Sequence, residues 1–172
     1  NILNFHTSPF LWWIGQLTKY ILRFQPKTTE YISRRQNLVH PIVGVHIRRT
    51  DKIGVEANLY QLEEYMFWVE LYFKKLEIKG DKFKRRVYLA TDEPKLGELL
   101  KESYSNYEFI HNEDFSISAN TNRASQEGTY GILSDTYYLS LTDYLVCTFS
   151  SQVICQKSIL FILSSRITTF NI

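Results

Sequence analysis

The sequence predicts an α/β domain built on a doubly wound parallel sheet. Two observations carry that expectation. Short apolar, β-branched runs alternate along the chain with segments of helical periodicity, the pattern of successive strand–helix units. Three of the strand-like runs also end in polar clusters: His46 to Lys52, Thr91-Asp92-Glu93, and Ser150-Ser151-Gln152. The carboxyl ends of a parallel sheet lie on one edge, so these clusters should converge there, where open α/β sheets bind ligands.

Taken in order, residues 9–24 read as a helix with Ser8 as cap and Pro9 at its first position. Trp13, Leu17, Tyr20, Ile21 and Phe24 share one face, and Leu11 and Trp12 make the opposite face apolar too, so this helix needs partners on both sides. Residues 27–37 suggest a second, more polar helix, and residues 42–47 a buried strand. Residues 61–76 give the clearest helix, because Leu62, Tyr65, Met66, Val69, Phe73 and Leu76 recur at three- and four-residue spacing. A strand follows at 87–90, then a helix at 95–104 with Leu96, Leu99 and Leu100 expected inward, then a short strand holding Phe109 and Ile110. From His111 to Glu127 the chain is polar and without periodicity, which predicts a long functional or disordered loop. Residues 128–141 return to helix and 144–149 to strand.

At 172 residues the chain can bury one α/β core. Its net charge of +2 is too small to argue for nucleic acid or an anionic membrane surface. It contains no apolar run long enough for a membrane span. It begins with Asn1, which suggests a piece of a longer protein. The two cysteines, Cys147 and Cys155, suggest neither metal spacing nor a disulfide framework, and Cys147 reads as a buried thiol. There is no glycine-rich phosphate loop of the dehydrogenase or ATPase kind.

The organising stretch is Val43 to Lys52, where His46, Arg48, Arg49, Asp51 and Lys52 crowd the end of an apolar strand. Adjacent arginines suit a ligand with several phosphate oxygens, because each guanidinium donates two parallel hydrogen bonds. Asp51 reads as their partner rather than as a metal ligand. Asp92 is either a nucleoside acceptor or a helix N-cap, and Asp135 either an acceptor or a helix-surface carboxylate. His46, between apolar neighbours, is either a satisfied core histidine or part of a site.

The runs VGVHIRRTDK, RVYLATD and DYLVCTFSSQV resemble the three motifs of the core α1,6-fucosyltransferases, glycosyltransferase family 23, in the family's order. WWIGQLTKYILRFQP and EEYMFWVE are similar to the same family outside those motifs. The resemblance implies the Rossmann-like, nucleotide-binding half of a GT-B-like inverting enzyme that uses GDP-fucose as donor. By the same resemblance, Arg48 and Arg49 bind the donor, with Arg49 on the pyrophosphate. His46, Tyr65, Asp92, Asp135 and Ser151 line the GDP site, and Glu56, with Lys52 beside it, is the general-base candidate. No metal or other cofactor is implied. The acceptor is the innermost N-acetylglucosamine of N-glycans, in the Golgi lumen, and the full-length protein is membrane-anchored, with dimerisation left open.

On this reading residues 1–40 are a helical lead-in from a first lobe, 41–153 the GDP-fucose-binding catalytic domain, and 154–172 a divergent tail. The tail holds the unbroken apolar run Ile159 to Leu163, which predicts a tendency to associate. A site built between two lobes predicts that this chain alone does not transfer fucose. The rival readings are a protein O-fucosyltransferase-like enzyme and an inactive GDP-binding fragment.

Overall fold

The computed structural model describes residues 13, 16–17, 20, 24–33, 37–48, 61–80, 82–121, 125–147 and 169–171. Along the chain these form α1 (Pro26–Ser33), β1 (Ile42–Ile47), α2 (Leu62–Glu77), β2 (Arg86–Thr91), α3 (Leu96–Ser103), β3 (Glu108–His111), α4 (Glu113–Thr121), α5 (Gln126–Ser140), β4 (Tyr144–Cys147) and β5 (Thr169–Asn171). The five strands make one sheet in the order β3-β2-β1-β4-β5, every neighbouring pair parallel. The doubly wound expectation therefore holds. The strand order reverses direction between β1 and β4, which is where such sheets open a crevice at their carboxyl edge.

Alternation along β1 sorts its side chains between two layers. Val43, Val45 and Ile47 join Val87, Leu89 and the inward faces of α2 and α3 in one buried cluster. Ile42 joins Tyr88, Ala90, Leu145, Ile32, Tyr138 and Leu139 in the other, under α1 and α5. All six β1 residues are buried, as expected of a strand covered on both faces. The α2 stripe packs as its spacing requires, with Tyr65, Met66, Val69 and Phe73 buried. Its start is tied by the Gln61 N–H donating to the Glu64 carboxylate at 3.3 Å and the Glu64 N–H donating to the Gln61 carbonyl at 3.1 Å.

At the amino edge, Arg85 donates to Glu77 through two nitrogens, both at 2.9 Å, and to Glu70 Oε2 at 2.6 Å. Tyr107 donates to the same Glu70 carboxylate, and the Arg85 guanidinium lies 5.6 Å from the centre of the Tyr107 ring. The Tyr107 bond, ahead of the nearby Arg85 charge, holds Glu70 below the usual carboxylate range against the opposing effect of burial. A groove of about 960 Å³ opens here, lined by Glu70, Phe83, Arg85 and Tyr107 among others. It lies on the opposite edge from Arg48 and Asp92, and Arg85 and Glu70 in its wall are paired with one another.

Four expectations change. Leu99 is 47% exposed. In a helix of eight residues, Leu96, Gly97 and Leu100 fill the inward arc and Leu99 falls outside it. The polar stretch after His111 contains α4, which buries Phe115 and Ser116 rather than forming a long loop. Cys147 is disulfide-bonded rather than a free thiol. Trp13, Leu17 and Tyr20 are helical, as expected, but stand 50%, 53% and 69% exposed. The apolar run Ile159 to Leu163 lies outside the described residues.

Gly44 is where the second layer touches the sheet most closely. A Cβ there would meet Thr142 Oγ1 at 2.7 Å and Leu139 Cδ2 at 2.9 Å. The Thr142 hydroxyl is tied to the Leu139 carbonyl at 2.8 Å and cannot swing aside without breaking that bond. Gly44→Ala should therefore lower stability by about 1–3 kcal/mol. Thermal melting would check this, and an unchanged midpoint would show that the layers can part at no cost.

Candidate functional site

The parallel register Ile47↔Thr91 places the residues that follow, Arg48 and Asp92, side by side at the carboxyl edge. Arg48 Nε stands 4.0 Å from Asp92 Oδ2, and Asp92 is 5% exposed. Asp92 does not cap the next helix: the N-cap of α3 is Lys95, with no side-chain cap. Thr91 closes the turn instead, its Oγ1 accepting from the Glu93 N–H at 3.1 Å. With the cap role absent, the Asp92 carboxylate is turned toward the arginine.

The end of β2 is braced from α4. The Ser116 hydroxyl, fully buried, donates to the Thr91 carbonyl at 2.7 Å. His111, at the end of β3, lies with Nδ1 3.3 Å from the Leu89 carbonyl and Nε2 3.4 Å from Ser116 Oγ. Burial pushes the His111 pKa down, favouring the neutral ring. Both acceptors need an N–H, since the Ser116 hydrogen goes to Thr91, and a neutral imidazole has one, so the tautomer decides which of the two contacts is a hydrogen bond.

His46 and Asp135 lie on the α5 side of the sheet. His46 is 3% exposed and flanked in register by Ala90 and Cys147. Asp135, on α5, accepts a hydrogen bond from the Tyr88 hydroxyl at 2.8 Å. Asp135 is half-buried rather than on the helix surface, and the burial of its carboxyl raises its pKa to about 7, the Tyr88 bond opposing that rise. Tyr88 is itself pushed well above its ordinary value, by burial first and by Asp135 second. Tyr65, in the first turn of α2, belongs to the cluster on the other face of the sheet. Arg49, Lys52, Glu56 and Ser151 lie outside the described residues.

The structure thus brings Arg48 to Asp92, sets His46 and Asp135 on one face near that edge, and leaves Tyr65 on the other face. Sequence reasoning missed Tyr88, Ser116 and His111. Tyr88 reads as an ordinary core residue of an alternating strand, and Ser116 and His111 fall in the stretch taken for a loop. Among the described residues, no group of three or more His, Cys, Asp or Glu is placed to hold a metal ion.

Residues 1–158 match the family model for alpha-(1,6)-fucosyltransferase N- and catalytic domains. The chain belongs to that family. It is 42% identical over 152 residues to the alpha-(1,6)-fucosyltransferase of Drosophila melanogaster, covering 86% of this chain and 25% of that protein. It is 37% identical over 159 residues to the alpha-(1,6)-fucosyltransferase of Caenorhabditis elegans, covering 89% of this chain and 28% of that protein. This alpha-(1,6)-fucosyltransferase-family chain therefore spans about a quarter of the length of these relatives. Its fold is like that of POFUT1 in complex with GDP, with a TM-score of 0.52 at 16% identity, over 92% of this chain and 50% of that one.

Asp135 is costly to the fold. Folded, the carboxyl keeps its proton up to about pH 7, whereas unfolded it loses it near pH 4. Stability therefore falls as pH rises through that window, because the native state binds the extra proton. Asp135→Asn does not titrate and still accepts from Tyr88. It should be more stable than the parent by about 2–4 kcal/mol at pH 8, and nearly equal to it at pH 4. Denaturant titrations at the two pH values would measure the difference, and a constant difference would contradict a buried titrating carboxyl.

Proposed function

We propose that the full-length protein carrying this chain transfers fucose from GDP-fucose to the 6-hydroxyl of the innermost N-acetylglucosamine of N-glycans, with inversion and without a metal ion. The observation that carries the reading is the pairing of Arg48 with Asp92 at the carboxyl edge of a parallel sheet, in a chain of the alpha-(1,6)-fucosyltransferase family. At such an edge a nucleoside diphosphate meets strand ends and side chains from several elements at once.

On this reading Arg48 and Arg49 bind the donor, with Arg49 on the pyrophosphate as the bond from the anomeric carbon to phosphate breaks. Preorganised cations at the departing diphosphate stabilise the charge that develops there. Glu56, with Lys52 beside it, takes the proton from the acceptor hydroxyl as the new glycosidic bond forms. His46, Tyr65, Asp92, Asp135 and Ser151 line the GDP site, Tyr65 from the other face of the sheet. The disulfide at Cys147 suits an oxidising compartment and supports a place in the secretory pathway, the Golgi lumen on this reading.

Two measurements on the full-length protein test the proposal. Transfer to an N-glycan acceptor should persist in excess chelator; activity that disappears and returns with manganese would refute the metal-free mechanism. Arg49→Lys keeps the charge but loses the bidentate fork. Charge-assisted hydrogen bonds contribute roughly 1.5–3 kcal/mol each, so donor binding should weaken by about tenfold to several thousandfold. Lys27→Ala, on the exposed side of α1, serves as the control. Equal and small effects of the two substitutions would remove Arg49 from the donor site.

A further inference from the structure

Resting on that nucleotide-site reading, we propose that Tyr88 is a positioning residue for donor binding, its hydroxyl holding the Asp135 carboxyl in the orientation that accepts hydrogen bonds from the nucleoside. Tyr88 lies mid-strand in β2, fully buried, with its ring 5.4 Å from that of Tyr138. Its hydroxyl donates to Asp135 Oδ1 at 2.8 Å, and no other hydrogen bond to Asp135 is made among the described residues. A carboxylate offers about four lone-pair sites, so Tyr88 leaves most of the acceptor capacity unused.

The location suits a ligand. Leu139 packs over Gly44, and Asp135 stands four residues earlier on α5, about 6 Å along the helix axis. Because α5 runs against the strand direction, that step leads toward the carboxyl edge by about two strand residues. Asp135 therefore sits near the level of His46, on the same side of the sheet.

The chemistry suits one as well. Donors on a purine base or a ribose need the carboxylate, while burial favours the acid; the Tyr88 bond opposes burial. Of the titratable groups on the packed elements, His46 on β1 and Tyr138 on α5 are buried, whereas Glu30 on α1 and Glu113 and Asp114 on α4 are exposed. Burial and the Tyr88 bond are the two influences that act on Asp135. Without its hydroxyl, Tyr88→Phe should leave Asp135 protonated to higher pH.

The test is calorimetric titration of GDP into the full-length protein from about pH 6 to about pH 9, across the range where Asp135 changes charge. Four proteins are compared: parent, Tyr88→Phe, Tyr138→Phe and Asp135→Asn, each checked for folding by its thermal melt. Tyr88→Phe should weaken GDP at pH 7 by roughly 10- to 100-fold and recover most of that loss by pH 9. Tyr138→Phe removes a hydroxyl from the same ring pair, the one bonded to the Ile32 carbonyl. It should lower stability and leave the pH midpoint of GDP binding in place. A loss in Tyr88→Phe that is equal at every pH, or an identical midpoint shift in Tyr138→Phe, would make Tyr88 a packing residue and overturn the proposal. GDP affinity unchanged in Asp135→Asn would instead refute the nucleotide-site reading on which it rests. Comparing GDP with IDP and with 2′-deoxy-GDP then tells base recognition from ribose recognition.

Discussion

The contact between Gly44 and the turn that joins α5 to β4 sets the distances on one whole side of the sheet. β1 is the central strand, buried on both faces. A side chain at Gly44 would hold the helix layer off, because Thr142 and Leu139 already lie against that position. The turn is itself held rigidly: the Thr142 hydroxyl is bonded to Leu139, the Asp143 N–H donates to the Ile42 carbonyl at 2.9 Å, and the Ile42 N–H donates to the Asp143 carboxylate at 2.8 Å. With the base of α5 pinned this way, one turn of helix carries Asp135 to the reach of the Tyr88 hydroxyl. A missing methyl group thus fixes the geometry of a carboxyl several ångströms away.

Elements whose burial repeats with a regular period were legible in the sequence. β1, β2 and α2 declared themselves because each buries a face or a whole strand, and the convergence of Arg48 with Asp92 follows from parallel register alone. α4 was not legible, since a helix that turns inward only Phe115 and Ser116 among its first residues leaves no stripe to read. Leu99 misled because leucine in a short helix looks inward wherever it falls. The bond from Tyr88 to Asp135 joins residues 47 positions apart and depends on the height of α5 above the sheet, which no local pattern encodes. The disulfide at Cys147 was hidden for a different reason, because two cysteines without a framework spacing suggest no pairing.

The ion pair at the site is loose. At 4.0 Å, Arg48 and Asp92 attract one another without the short, directed contact of a charge-assisted hydrogen bond. On the proposed reading a phosphate oxygen would accept from Arg48, and Asp92 would face the nucleoside. The brace from Ser116 to the Thr91 carbonyl holds the end of β2 beside this pair.

Arg85 has a consequence for how the molecule comes apart. It grips Glu70 and Glu77 on α2 from the residue before β2, and through Glu70 it is joined to Tyr107, just ahead of β3. Arg86 and Glu108 add a second link between the two strands at 3.1 Å. These links resist the separation of any one of the three elements from the other two. α2, β2 and β3 are accordingly expected to open as one unit of local unfolding, with their backbone amides exchanging with solvent together.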